Sequence, residues 1–214
     1  MSGIWTLLLL LLTAVLPAIV VFFWLRARKT QVTLQWFLVS FAAGVVSLFL
    51  AAFIQSFFPH PVQGGLWQIL FGVFVRIALV EEASRLVLLI LLVKVVTRFK
   101  NMDDAFGAAA GLAAGLGFAA VESATYGMAN ISITLLRAFT AAPLHGACGL
   151  RAGTAVSIFG SHPVKAFFFF ASAVFIHGAY NLMIVSPAIS SLLAAAAAII
   201  AFITSLPLLK ISSK

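Results

Sequence analysis

Apolar runs long enough to cross a membrane follow one another along this chain. A transmembrane helix needs about 20 apolar residues at about 1.5 Å each, and charge clusters, prolines and glycines divide the sequence into about seven such runs. The predicted spans are residues 4–25, 32–57, 66–97, 104–129, 132–159, 164–185 and 188–209. We therefore expect an all-α fold, a polytopic membrane helix bundle of about seven transmembrane helices that forms one integral membrane domain over residues 1–214.

The composition supports lipid as the solvent. Of 214 residues, 64% are hydrophobic and 8% are charged, whereas soluble domains are about 45–50% apolar and about 25% charged. This excludes a conventional soluble enzyme and a nucleic-acid binder, despite the net charge of +8. Cys148 is the single cysteine, so an internal disulfide framework is excluded as well.

Basic residues set the predicted orientation. Cytoplasmic loops of membrane proteins retain Lys and Arg, and here the basic residues fall in or beside alternate loops and at the C-terminal tail, which predicts an outside N-terminus and an inside C-terminus. The first span has no basic residue ahead of its apolar run, so we interpret it as a retained membrane helix rather than a signal peptide. The residues concerned are Arg26, Arg28, Lys29, Lys94, Arg98, Lys100, Lys165, Lys210 and Lys214.

Ionisable residues occur at membrane depth on four of the predicted spans. Counting about 1.5 Å per residue from one end of each span places Glu82, Glu122, His145 and His177 about 20–27 Å along it. A charged side chain at the bilayer centre costs about 2.5–3.5 kcal/mol on insertion scales, and such residues persist where they face a polar interior with a function. The set consists of Glu81, Glu82, Glu122, His145 and His177.

The spacing predicts local pairs within these helices. Arg85 lies three residues after Glu82 and four after Glu81, so it can reach either carboxylate and leaves the other free. In the same way Tyr126 shares a helix face with Glu122, and Asn181 shares one with His177. Two further in-span cations, Arg76 and Arg151, need buried partners, whereas we expect Arg137 to snorkel.

Two chemistries fit this set, and both hydrolyse an amide. In the first, His145, His177 and Glu122 bind a metal such as zinc with an open water position, and Glu81 or Glu82 is the base. In the second, no cofactor is needed: a Glu and a His activate water, while Asn181 and the second His polarise the scissile carbonyl.

Other residues have simpler structural interpretations. Glycines at every fourth position of the fourth span, from Gly107 to Gly115, predict close helix packing. Pro143 is expected to bend the fifth span near His145. We expect Asp103 and Asp104 to cap the fourth span. His60 and His162 lie beside prolines in loops and are expected to be solvated.

Four ordered motifs over about 100 residues resemble the PrsW family of intramembrane proteases, which is grouped with the CAAX prenyl endopeptidases and the scaffold subunit of gamma-secretase. They lie in residues 66–185, the predicted motif-bearing core. Phe118 and Glu122 form an F-x-x-x-E element in the second motif, and Arg85 stands where the family often has Lys. The motifs are EEASR from Glu81, GLGFAAVESATY from Gly115, RAFTAAPLHG from Arg137 and HGAYN from His177.

The resemblance implies a multi-pass membrane peptidase of a bacterial or archaeal cell membrane. Its substrate would be a membrane protein or membrane-bound peptide, such as an anti-sigma factor in regulated intramembrane proteolysis. The family is commonly called a metalloprotease, whereas its CAAX relatives resemble glutamate-activated hydrolases, so the metal stays open at this point. The implied catalytic residues are Glu81, Glu82, Glu122, His145 and His177, with Asn181, Arg85 and Tyr126 in support.

Two other classes of protein remain as alternatives. Buried carboxylates and histidines also form proton relays, so a proton- or ion-coupled transporter is one, although no internal repeat of the transporter kind is visible. A non-catalytic scaffold or substrate-escort protein is the other. The complete Glu/His set favours retained chemistry over both.

Overall fold

The computed structural model describes residues 3–28, 32–58, 64–96, 104–128 and 130–209, and these residues form helices and short connections without a strand. The expected all-α fold is confirmed. The helices are α1 (Gly3–Ala27), α2 (Leu34–Gln55), α3 (Leu66–Leu70), α4 (Val80–Val96), α5 (Asp104–Gly127), α6 (Ile131–Phe139), α7 (Ala141–Ile158), α8 (Pro163–Val185) and α9 (Ser191–Ser205).

Five helical segments of the described chain are long and apolar enough to cross a membrane, judged by length and composition. They are α1, α2, α5, α8, and α9 together with the 3₁₀ turn Leu206–Leu209 that continues it. Large apolar side chains such as Phe23, Phe53 and Phe168 are mostly exposed on the outside of the bundle, as lipid-facing residues are. The count of seven spans and the orientation stay predictions.

The two remaining predicted spans carry most of the buried ionisable groups, and both are irregular. Residues 66–96 run as α3, a nine-residue π-helical stretch from Phe71 to Leu79, and α4. The fifth span is broken at Thr140, whose backbone angles (φ −120°, ψ −64°) separate α6 from α7. Pro143 lies in the first turn of α7, where a missing N–H costs least. The sequence predicted a bend near this proline, whereas the structure has a full break between two helices at Thr140.

Helix α5 lies at the centre and is almost entirely buried. Its glycines permit main-chain contact with α7, because an added Cβ at Gly111 would strike the carbonyl oxygen of Gly149, and one at Gly115 would strike that of His145. On the opposite side, a Cβ at Gly117 would strike the carbonyl of Phe41 in α2. The close packing predicted from the glycine spacing is confirmed, and it brings α5 and α7 together at the level of His145.

Several sequence predictions concern residues outside the described ranges. These are the solvated His60, the cap residue Asp103, and basic residues that set the orientation. The side chain of Asp104, which begins α5, is likewise not described. The basic residues outside the described ranges are Lys29, Arg98, Lys100, Lys210 and Lys214.

We predict that Gly111→Ala destabilises the bundle, because the new methyl group must displace the backbone of α7. Overpacking of this kind typically costs about 1–3 kcal/mol, opposed by about 1 kcal/mol of helix propensity. The apparent melting temperature in mild detergent should therefore fall. Gly160→Ala is the control, since its added Cβ meets no described atom within 4 Å. A melting temperature equal to or above that of the wild type would contradict the tight α5–α7 contact.

Candidate active site

The five ionisable residues that the sequence placed at membrane depth come together in the bundle. Glu81 and Glu82 lie on α4, and the other three residues lie on α5, α7 and α8. Glu82 is fully buried, and His145 and His177 are each 1% exposed. Since four helices contribute to one cluster, their packing fixes the positions of these side chains.

Glu82 is held by two partners on opposite oxygens. Arg85, one turn later on α4, pairs with Oε2, and Nδ1 of His177 lies 2.8 Å from Oε1. A carboxylate only accepts, so Nδ1 of His177 donates to Glu82, and Nε2 lies on the side of Glu81. The spacing allowed Arg85 to reach either carboxylate, and the structure pairs it with Glu82.

His145 lies between a cation and a carboxylate. Nη2 of Arg85 is 3.2 Å from Nδ1 of His145, and Nε2 of His145 is 2.8 Å from Oε2 of Glu122. Arginine can only donate, so Nδ1 accepts and Nε2 donates to Glu122. The ring is therefore held in one tautomer, with both nitrogens occupied.

Arg137 is a site residue that the sequence analysis missed. It was expected to snorkel, but its guanidinium pairs with Oε2 of Glu122, and its Nε donates to the hydroxyl of Ser123 at 3.2 Å. The guanidinium carbon also lies 4.4 Å from the ring centre of Tyr126. One signal in the sequence could have indicated this pair. The helix of Glu122 contains no Lys or Arg, so a buried Glu122 needs a cation from another helix.

Glu81 differs from its neighbour in that one of its oxygens accepts no hydrogen bond from the described residues. Nε2 of Gln55, the last residue of α2, donates to Oε1 at 3.1 Å. Oε2 is buried, has no hydrogen-bond partner among the described residues, and lies 3.6 Å from Nε2 of His177. That separation is too long for a hydrogen bond, so a gap separates the two atoms.

These contacts form one continuous series, which we call the polar chain. It runs from α6 through α5, α7, α4 and α8 back to α4, and ends on α2. All neighbours in it are hydrogen bonded except His177 and Glu81. In order, its members are Arg137, Glu122, His145, Arg85, Glu82, His177, Glu81 and Gln55.

A cavity of about 590 Å³ opens onto the polar chain. Arg76, from the π-helical stretch, lines it as well. A pocket of this size falls in the usual range for binding sites, and its wall includes acidic groups of the polar chain. The sequence-predicted residues in its wall are Glu81, Glu122, Tyr126, His145 and Asn181.

Glu81, His145 and His177 could hold a metal ion, since one donor atom from each lies within 4.8 Å of the others. Two histidines and a glutamate are a known catalytic zinc set, and the His177–Glu82 hydrogen bond is the outer-shell contact that ligating histidines usually make. The unpartnered Oε2 of Glu81 also fits a cation. To ligate, His145 must release either Arg85 or Glu122. The sequence had proposed Glu122 as third ligand, whereas this group contains Glu81.

The other singled-out residues lie outside the cluster. Arg151 donates to two hydroxyls, those of the partly buried Ser172 at 3.0 Å and the buried Ser205 at 3.2 Å. His162 is exposed, as expected of a solvated loop histidine. The site chemistry therefore belongs to the polar chain and its cavity.

A comparison with protein-family models agrees with this geometry. The model described as PrsW family intramembrane metalloprotease matches residues 32–209, which include every member of the polar chain. No curated protein and no solved structure gave a significant match. The match covers well over half of the sequence. The chain therefore belongs to the PrsW family of intramembrane metalloproteases, a family of membrane-embedded proteases.

Proposed function

We propose that this protease hydrolyses its substrate with Glu81 as the group that activates water, as the general base or, where a metal is bound, as one of its ligands. The observation that carries this assignment is the buried Oε2 of Glu81, which has no hydrogen-bond partner among the described residues and belongs to a carboxylate lining the cavity. Glu82 is less suited to the role, because Arg85 and His177 occupy its two oxygens. A base needs an available lone pair within reach of water.

The histidines and Asn181 would assist from the surrounding helices. Nε2 of His177 lies 3.6 Å from Oε2 of Glu81, close enough to share a water or to take over its proton. Asn181, one turn further along α8, lines the cavity, and its amide can donate to the oxygen of the scissile carbonyl as charge develops there. Glu122 and His145, joined by a hydrogen bond, form a second acid–base pair for the leaving amine.

The metal in the family description would be held by Glu81, His145 and His177. When bound, a zinc ion there would polarise the attacking water and the substrate carbonyl. Bound to the metal, Oε2 of Glu81 would no longer be free to deprotonate water. Glu81 is therefore a metal ligand in that chemistry and the general base in the chemistry without a metal.

For the substrate we propose a membrane protein whose scissile segment enters the bundle from the lipid. The site is buried among helices with lipid-facing outer surfaces, and the cavity takes a segment in extended form. Family membership supports an anti-sigma factor cleaved in regulated intramembrane proteolysis, in a bacterial or archaeal cell membrane. We further propose one integral membrane domain, 1–214, with seven spans and the N-terminus outside.

We predict that Glu81→Gln abolishes cleavage while the protein stays folded. Gln keeps the shape but cannot accept the proton of water, and loss of a general base typically costs about 10²–10⁴-fold in rate. The assay uses a panel of epitope-tagged single-span membrane proteins in liposomes, with products separated on gels. Ser84→Ala, which removes another buried polar group of α4, is the control and should stay within about twofold of wild type. Activity of Glu81→Gln near that of the control would refute the assignment.

We predict about one zinc ion per chain in protein purified in mild detergent, and its loss in His177→Ala, because three protein ligands are the usual minimum for a catalytic site. Elemental analysis by mass spectrometry gives the ratio. Asn181→Ala is the matched variant on the same helix, and it should keep the metal. An active wild type without bound metal would instead assign water activation to Glu81 and His177 alone.

A further inference from the structure

We propose that Arg137 is a positioning residue for proteolysis, acting through Glu122 on His145. This inference rests on the proposed function, because it assumes that Glu122 and His145 take part in the reaction. The contacts that carry it converge on one atom. Oε2 of Glu122 accepts from Nε2 of His145 at 2.8 Å and also pairs with the guanidinium of Arg137.

The geometry around Arg137 holds the guanidinium in place from three sides. Besides Glu122, it contacts the Ser123 hydroxyl through Nε and stacks over the ring of Tyr126. Two of these partners follow each other on α5 and the third lies one turn later. A guanidinium fixed in this way holds the carboxylate in one rotamer, which a flexible, hydrated cation would not do.

Fixing Glu122 also fixes His145. The Glu122 carboxylate accepts the Nε2 proton of His145, so Nδ1 stays free to accept from Arg85. Without Arg137, the Glu122 side chain, which is 21% exposed to the cavity side, can turn toward water. The imidazole then loses one of the two partners that hold its ring and tautomer, and outer partners of this type are worth about 10–100-fold in activity.

Arg137 also links this arrangement to a short helix. Helix α6 has nine residues between the cap Asn130 and the break at Thr140, and Leu135, Leu136 and Phe139 on it are exposed. Its other described polar link to α5 is Thr134, whose hydroxyl donates to the carbonyl of Ser123 at 3.1 Å. The position of the Glu122 carboxylate therefore depends on how α6 packs against α5.

The test is a double-mutant cycle between Arg137 and Glu122, measured by steady-state kinetics on the best-cleaved member of the substrate panel. Arg137→Gln should lower kcat about 10–100-fold and change KM less than about twofold, because the effect lies on the reacting groups rather than on substrate binding. In a Glu122→Gln background, measured over long incubations, Arg137→Gln should have no further effect. Arg137→Lys should restore only part of the activity, since the ammonium can still pair with Glu122 but does not hold its carboxylate in one rotamer.

The matched control is Thr134→Val. It removes the other polar link between α6 and α5 without touching Glu122, so its kcat should stay within about twofold of wild type. Melting temperatures in detergent confirm that every variant is folded.

Three outcomes would overturn the inference. They are additive effects of Arg137→Gln and Glu122→Gln, an equal loss of kcat in Thr134→Val, and an unimpaired Glu122→Gln enzyme, since Arg137 then acts elsewhere or only supports α6. An active Glu81→Gln variant would instead refute the base assignment and leave the Arg137 result standing, so the two failures are distinguishable.

Discussion

Pairing of buried charge is the constraint on which this structure depends. Three carboxylates and two guanidiniums lie along the polar chain inside a bundle whose outer surface is apolar. Removing one partner of a buried ion pair typically costs about 3–5 kcal/mol, because the remaining charge is left without compensation. The polar chain is therefore stable only when nearly all of its contacts form together. These contacts require six helices to meet at one place, namely α2, α4, α5, α6, α7 and α8. The fold and the site therefore depend on the same contacts.

Adjacent residues on one helix receive different tasks from this arrangement. Glu81 and Glu82 point about 100° apart, so Glu82 faces Arg85 and His177 while Glu81 faces Gln55 and the cavity. One carboxylate holds a cation and a histidine in place, and the other keeps an oxygen available. The division of roles comes from the environment of each side chain, since the two residues are chemically identical.

The sequence predicted the all-α fold and the residues that meet at the centre, because apolar runs and isolated ionisable groups are strong signals in a membrane protein. It also predicted, from Gly107, Gly111 and Gly115, that another helix packs closely against α5, without indicating which one. It did not predict the ion pair of Arg137 with Glu122 or the bond of Gln55 to Glu81. Both join residues distant in sequence, and helical periodicity carries no information about which helices become neighbours. For the break at Thr140, the sequence predicted only a bend near Pro143.

The main-chain contact between α5 and α7 has a consequence for sequence change in this chain. Glu122 and His145 sit on the two helices whose glycines bring the backbones together, and a Cβ at Gly115 would strike the carbonyl of His145 itself. The spacing of this pair is therefore set by contacts between peptide groups, which substitutions outside these glycines leave in place. Lipid-facing positions such as Phe168 can vary freely among apolar residues, while the dimensions of the centre stay constant.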